Sequence, residues 1–189
     1  MIADEQRQAR PLGAPLRTWH HLLFSVVLIF GIPARADILT GTVVAVADGD
    51  TVTVLDSNRE PHRIRVAGID APEKAQPFGQ RAKQSLSALV FGKEVDVQWT
   101  KRDRYSRIVG KVRVSGSNCL AARCPKTVDA GLAQITSGMA WWYGKYASEQ
   151  SADDARQYEA SEREARSKRV GLWADANPVP PWEWRKGGW

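Results

Sequence analysis

The segment RVAGIDAPE, Arg65 to Glu73, begins as an apolar strand and ends on two carboxylates, Asp70 and Glu73, with Pro72 between them. A second acidic pair, Asp48 and Asp50, stands upstream in ADGDT. Oxygen donors without nitrogen or sulfur partners suit a hard cation, calcium or magnesium, rather than zinc. An arginine at position 65 adds a group that binds phosphate bidentately. The plainer reading is a strand exit and a tight turn. It is strongest for Asp48, because Asp-Gly is what such a turn favours. It is weaker for Asp70, which interrupts an apolar strand, and for Glu73, fixed after a proline. Arg65 and Asp70 lie five positions apart, so regular alternation sends them to opposite faces. A bulge or twist at Gly68 would bring them together; otherwise Arg65 is a solvated strand arginine like Arg63.

Other chemistries are poorly supplied. Beyond the N-terminal segment the chain keeps one histidine, His62, and no serine in a strained elbow motif. That excludes a histidine acid/base pair and makes a Ser-His-Asp hydrolase hard to build. The densest basic cluster is KRDRYSR, Lys101 to Arg107, with Tyr105 inside it. It reads either as a solvated turn or as arginine for phosphate and tyrosine for base stacking. AWWYGKY sets Tyr143 and Tyr146 beside Lys145, as core or as a stacking wall.

These residues need a scaffold, and 189 residues allow one domain with a real core. The net charge of +6 favours acidic partners, without bearing on fold. An apolar run, Leu22 to Ile32, follows Arg10 and Arg17 and precedes ARA at 34–36. It is shorter than the ~20 residues that span a bilayer, so residues 1–36 read as a signal peptide cleaved after Ala36, and the protein as exported, periplasmic or secreted. In such a compartment Cys119 and Cys124, in CLAARC, read as a local disulfide. The rival, a zinc site, has too few further ligands.

From Leu39 onward, LTGTVVAVA, TVTVLD and HRIRVAGI alternate as three strands, the first two joined by the turn at Asp48–Asp50. FGQRAKQSLSALVFG carries Ala82, Leu86, Leu89 and Val90 at helical spacing, with Gly92 as a stop. KEVDVQWT and RIVGKVRV are two more strands, and TVDAGLAQITSG is a short helix. AWWY is a brief extended piece. SADDARQYEASEREARSKR is a polar helix with Ser151 as N-cap and Gly171 at its C-cap. The order predicts an α+β, β-rich fold: a five-stranded Greek-key barrel of the OB type with about three helices. The barrel domain runs over 37–175. The tail 176–189, ANPVPPWEWRKGGW, reads as neither helix nor strand, and its tryptophans as packing onto the barrel.

VADGDTV, RIRVAGIDAPE, DRYSRIVGKV, GMAWWY and the helix leading into VGLW, in this order, resemble the staphylococcal (micrococcal, thermonuclease) nuclease family over Thr40 to about Trp173. The resemblance implies Ca2+ as cofactor and cleavage of DNA and RNA to 3′-phosphate ends with little base specificity. It implies that Asp50 and Asp70 ligate calcium with the backbone oxygen of Ala71, while Asp48 supports from behind. Glu73 positions or deprotonates the attacking water, and Arg65 and Arg107 hold the scissile phosphate. Arg104 and Tyr105 contact the nucleotide, as do Tyr143 and Tyr146, although the aromatic run differs from that of the family's founding member. The enlarged cysteine loop is also a departure, which either alters substrate access or only staples a surface loop, and the resemblance implies no catalytic role for it.

Three readings follow. The first is an exported, calcium-dependent, sugar-non-specific endonuclease, a monomer without a stable protein partner and without a membrane span once the leader is removed. The second is an idle nucleic-acid-binding OB module, which the filled positions Asp50, Arg65, Asp70, Glu73 and Arg107 disfavour. The third treats the acids as turn residues and the charge as solubility.

Overall fold

The computed structural model describes residues 36–116 and 124–187. Residues 1–35 of the leader and Cys119 lie outside the described residues; Cys124 is disulfide-bonded. Short β-branched segments form a closed barrel: β1 (Asp37–Val46), β2 (Thr51–Asp56), β3 (Pro61–Val66), β5 (Glu94–Arg102) and β6 (Ile108–Val114). They hydrogen-bond in the order β3-β2-β1-β5-β6, and β3 pairs again with β6, in parallel, to close the ring. The alternation in β6 is complete at its odd and even positions: Ile108, Gly110, Val112 and Val114 are buried and the residues between them are not. A short strand β7 (Val128–Asp129) extends the sheet beyond β6. The core joins Val43, Val54, Ile64, Val66, Val97 and Val112 to the helices outside the barrel.

Three helices match the sequence reading in place. Helix α1 (Gly79–Val90) buries Ala82, Leu86 and Val90, and α2 (Ala130–Thr136) starts at Asp129, whose carboxylate caps Gly131 and Leu132. Helix α3 (Ala152–Ser167) is capped by Ser151, which accepts a hydrogen bond from the Asp154 amide. Its other end departs from expectation. The left-handed residue that ends α3 is Arg169, at φ 51°, and the Val170 amide returns to the Ala165 carbonyl. Gly171 serves a different need: a Cβ there would stand 2.3 Å from the Gly138 carbonyl oxygen, so two backbones cross too closely for a side chain.

The third strand is also shorter than its alternation suggests. It stops at Val66, the chain turns at Ala67 and Gly68, and Ile69–Asp70 forms a separate strand, β4. This strand pairs with β8 (Trp141–Trp142), the centre of the expected aromatic piece. The tail differs too, because Pro181–Trp184 forms a helical turn, α4. Proline suits that first position, where its missing amide hydrogen has no partner to lose. Among the described residues no helix is long and apolar enough to cross a membrane.

Candidate active site at the end of the barrel

The Asp48–Asp50 turn is held down before it holds anything else. A Cβ at Gly49 would stand 2.6 Å from that of Ala82 and 2.7 Å from that of Ala71, so only glycine lets the turn lie against α1. The Gln134 side chain, itself buried, bridges the carbonyls of Gly49 and Ala82. Asp48 accepts the Asp50 amide at 3.1 Å, which fixes the turn. Asp50 is thereby aimed inward, where Oδ1 accepts from the Thr51 hydroxyl and Oδ2 from the Ala71 amide at 2.8 Å.

Gly68 answers the problem of spacing. Its φ of +75° turns the chain between β3 and β4, a conformation glycine adopts without steric cost. Arg65 and Asp70 then share one side: Nη2 donates to Asp70 Oδ1 at 2.8 Å. Nη1 lies 2.5 Å from Asp50 Oδ2, but off the line of its N–H bonds, so it remains a buried donor without a well-formed hydrogen bond. Asp70 is 1% exposed and Asp50 6%, so the cluster is almost wholly withdrawn from water. Burial pushes the Asp50 carboxyl up to about 7 against the pull of Arg65, with Asp48 and Asp70 adding like-charge repulsion. Burial opposes charge on Arg65 as well, but the three aspartates outweigh it and hold the guanidinium above its ordinary value.

Glu73 sits just past this cluster, half-exposed, with its amide held by Gln76 Oε1 at 3.1 Å. Arg107 is placed by the β5–β6 hairpin, where Asp103 accepts both its amide and its Nε, the latter at 2.7 Å. Its terminal nitrogens make no hydrogen bond among the described residues, which leaves the fork of the guanidinium open. The structure does not join Arg107 to Asp50, Asp70 or Glu73 by any contact among those residues. Tyr105, at the hairpin tip, is 63% exposed and lies under both Arg104 and Arg107. Tyr146 is exposed beneath Lys101 and Lys145. Tyr143, edge-on to Tyr146, is stacked on Trp182 with centroids 5.3 Å apart.

Residues 63–175 match the family described as staphylococcal nuclease homologues. The chain belongs to the staphylococcal nuclease family. It is 43% identical over 160 residues to the protein ParB of Escherichia coli, across 85% of this chain and 86% of that one. To a micrococcal nuclease of Shigella flexneri it is 43% identical over 170 residues, across 86% and 88%. The staphylococcal-like nuclease CAN1 of Arabidopsis thaliana is 40% identical over 124 residues, 66% of this chain and 33% of that longer protein.

Membership of a micrococcal-nuclease-like family implies a metal, and the donors present fit a hard one. Asp50, Asp70 and Glu73 offer only oxygen, and positive charge already stands among them as the guanidinium groups of Arg65 and Arg185. A second group is formed by Asp56, Glu60 and His62, whose ligand atoms lie within 4.8 Å of one another. That group occupies the opposite end of the β2–β3 hairpin: Thr51 pairs with Arg65 at the site's end and Leu55 with Pro61 at the other.

Arg185 is the residue that sequence reasoning misses. Its Nη2 lies 2.7 Å from Asp70 Oδ2 and its Nη1 2.6 Å from Glu73 Oε1. Hydrogen bonding to Asp70, then to Glu73, holds it above the usual arginine range. It lies 115 positions from Asp70 in a proline-rich tail, where no periodicity or motif points back to the barrel.

Proposed function

We propose that this nuclease-family protein is an exported, calcium-dependent endonuclease that hydrolyses phosphodiester bonds of DNA and RNA and leaves 3′-phosphate ends. The observation that carries the reading is the convergence of Asp50, Arg65 and Asp70 in one buried cluster beside Glu73. Export rests on the basic, apolar and small-residue pattern of 1–36.

In this reading Asp50, Asp70 and the Ala71 carbonyl hold the calcium ion, and Asp48 fixes Asp50 from behind. A calcium ion held there would supply positive charge that lowers the barrier to attack on an anionic ester. Arg65 and Arg107 bind the non-bridging oxygens and offset charge as it grows on them in the transition state. Glu73, outside the driest part of the cluster, takes a proton from the water that attacks phosphorus. The bond to the 5′ oxygen breaks and the phosphate stays on the 3′ side. Arg104, Tyr105, Tyr143 and Tyr146 contact the nucleotides on either side; a tyrosine face accepts any base, consistent with low sequence preference.

The test is digestion of single-stranded DNA by the purified protein with calcium, with magnesium and with a chelator, beside Glu73→Gln. Loss of the base lowers cleavage by about 10²- to 10⁴-fold, and the chelator abolishes it. DNA that stays intact in every lane, yet is retarded on a gel, would identify a binding module instead.

A further inference from the structure

The C-terminal arm reaches into the site by a route that is fully built. Gln76, 6% exposed, holds the Glu73 amide with Oε1 and donates Nε2 to the Val179 carbonyl at 2.5 Å. One side chain therefore positions the base and fastens the arm. Beyond it, Pro180 and Pro181 start the helical turn α4, and Trp182 lies against Trp141 and flat on Tyr143. The turn ends at Arg185, whose fork spans both acidic residues: Asp70 Oδ2 at 2.7 Å, Asp70 Oδ1 at 3.3 Å and Glu73 Oε1 at 2.6 Å.

This guanidinium and the proposed chemistry require the same oxygens. Asp70 Oδ1 accepts from Arg65 and from Arg185, and Oδ2 accepts from Arg185, so an ion at Asp70 competes with a guanidinium at either oxygen. Glu73 accepts Arg185 Nη1 at Oε1, on the same carboxylate that the proposed chemistry needs for the attacking water. Arg185 is 44% exposed, so its withdrawal needs no rearrangement of the barrel.

We propose that Arg185 is a tethered cation that occupies the divalent ion's place: it holds Asp70 and Glu73 in the ion-free protein and is displaced when the ion binds. The arm is thus a latch on the site, and ion binding is what opens it. The inference rests on the nuclease reading above, in which Asp70 is a ligand and Glu73 the base.

The experiment is calorimetric titration of calcium into purified wild type and Arg185→Gln, with thermal melting of both in chelator and in saturating calcium. A site latched nine-tenths of the time loses about tenfold in apparent affinity, so Arg185→Gln binds calcium at least ~10-fold more tightly. It melts below wild type in chelator and level with it in saturating calcium, because the contact it lacks exists only in the ion-free state. Equal calcium affinities overturn the latch and leave the nuclease reading standing. The same loss of melting temperature in both conditions also overturns it, since Arg185 then stays in place beside the ion. Failure of both proteins to bind calcium overturns the calcium reading, and the latch with it.

Discussion

The β2–β3 hairpin carries a knot of carboxylates at each end, and the two are built in opposite ways. At the Thr51–Arg65 end, Asp50 and Asp70 are buried and face guanidinium groups. At the other end Asp56 Oδ1 caps the turn by accepting the amides of Asn58 and Glu60, and Oδ2 meets His62 at 3.0 Å. The second group has the tighter set of ligand atoms, yet its acceptors are committed to its own turn and its neighbours are exposed. The first has its oxygens spread around positive charge and withdrawn from water. Proximity of acids alone does not set the two ends apart; burial and the guanidinium groups they face do.

Substitution should separate the two ends most sharply. Asp70→Asn, which keeps the shape and removes the charge, lowers cleavage by about 10³-fold, whereas Asp56→Asn leaves it unchanged in the same assay. The turn at Gly68 comes next. A Cβ there would stand 2.3 Å from Gln150 Nε2 and 3.1 Å from the Tyr158 ring, in a left-handed conformation. Gly68→Ala therefore shifts Asp70 relative to Arg65 and costs cleavage up to about 100-fold. In contrast, Tyr158→Phe keeps that ring contact and removes only the hydroxyl's bonds to Asp129 at 2.8 and 2.9 Å. It loses about 2 kcal/mol in denaturant unfolding and cleaves at the wild-type rate.

The ends also titrate in opposite directions. Asp50 is raised from 3.8 to about 7, so the stability it contributes is fully present below 3.8 and is lost as pH rises through about 7. Asp56 is lowered, first by its hydrogen bond with His62, so its contribution is present above 3.8 and lost as pH falls through its folded value. Thermal melts in chelator check both signs. From about pH 5 to about pH 8 the melting temperature of Asp50→Asn falls less than that of wild type. Asp56→Asn differs from wild type instead by a smaller loss on the acid side.

Much of this was legible in the residues. The alternation of TVTVLD and RIVGKVRV, the Asp48–Asp50 turn and Ser151 as a cap are local signals, and each stands where its chemistry places it. What spacing left open was the relation of Arg65 to Asp70, because period-two alternation holds only while a strand continues, and a glycine at positive φ ends that assumption. Two further features had no local signature. The pairing of Ile69–Asp70 with Trp141–Trp142 is two residues long and joins distant parts of the chain. Arg185 is the one arginine of a tail whose prolines signal only the absence of long helix or strand. Long-range contacts of this kind depend on where the barrel puts its ends, which no short window of sequence contains.

The most direct test of the central claim is calorimetric titration of calcium into wild type, Asp70→Asn and Asp56→Asn. The account predicts one calcium site that survives in Asp56→Asn and disappears in Asp70→Asn. Calcium binding that persists in Asp70→Asn and vanishes in Asp56→Asn would place the ion at the hairpin's other end and contradict it.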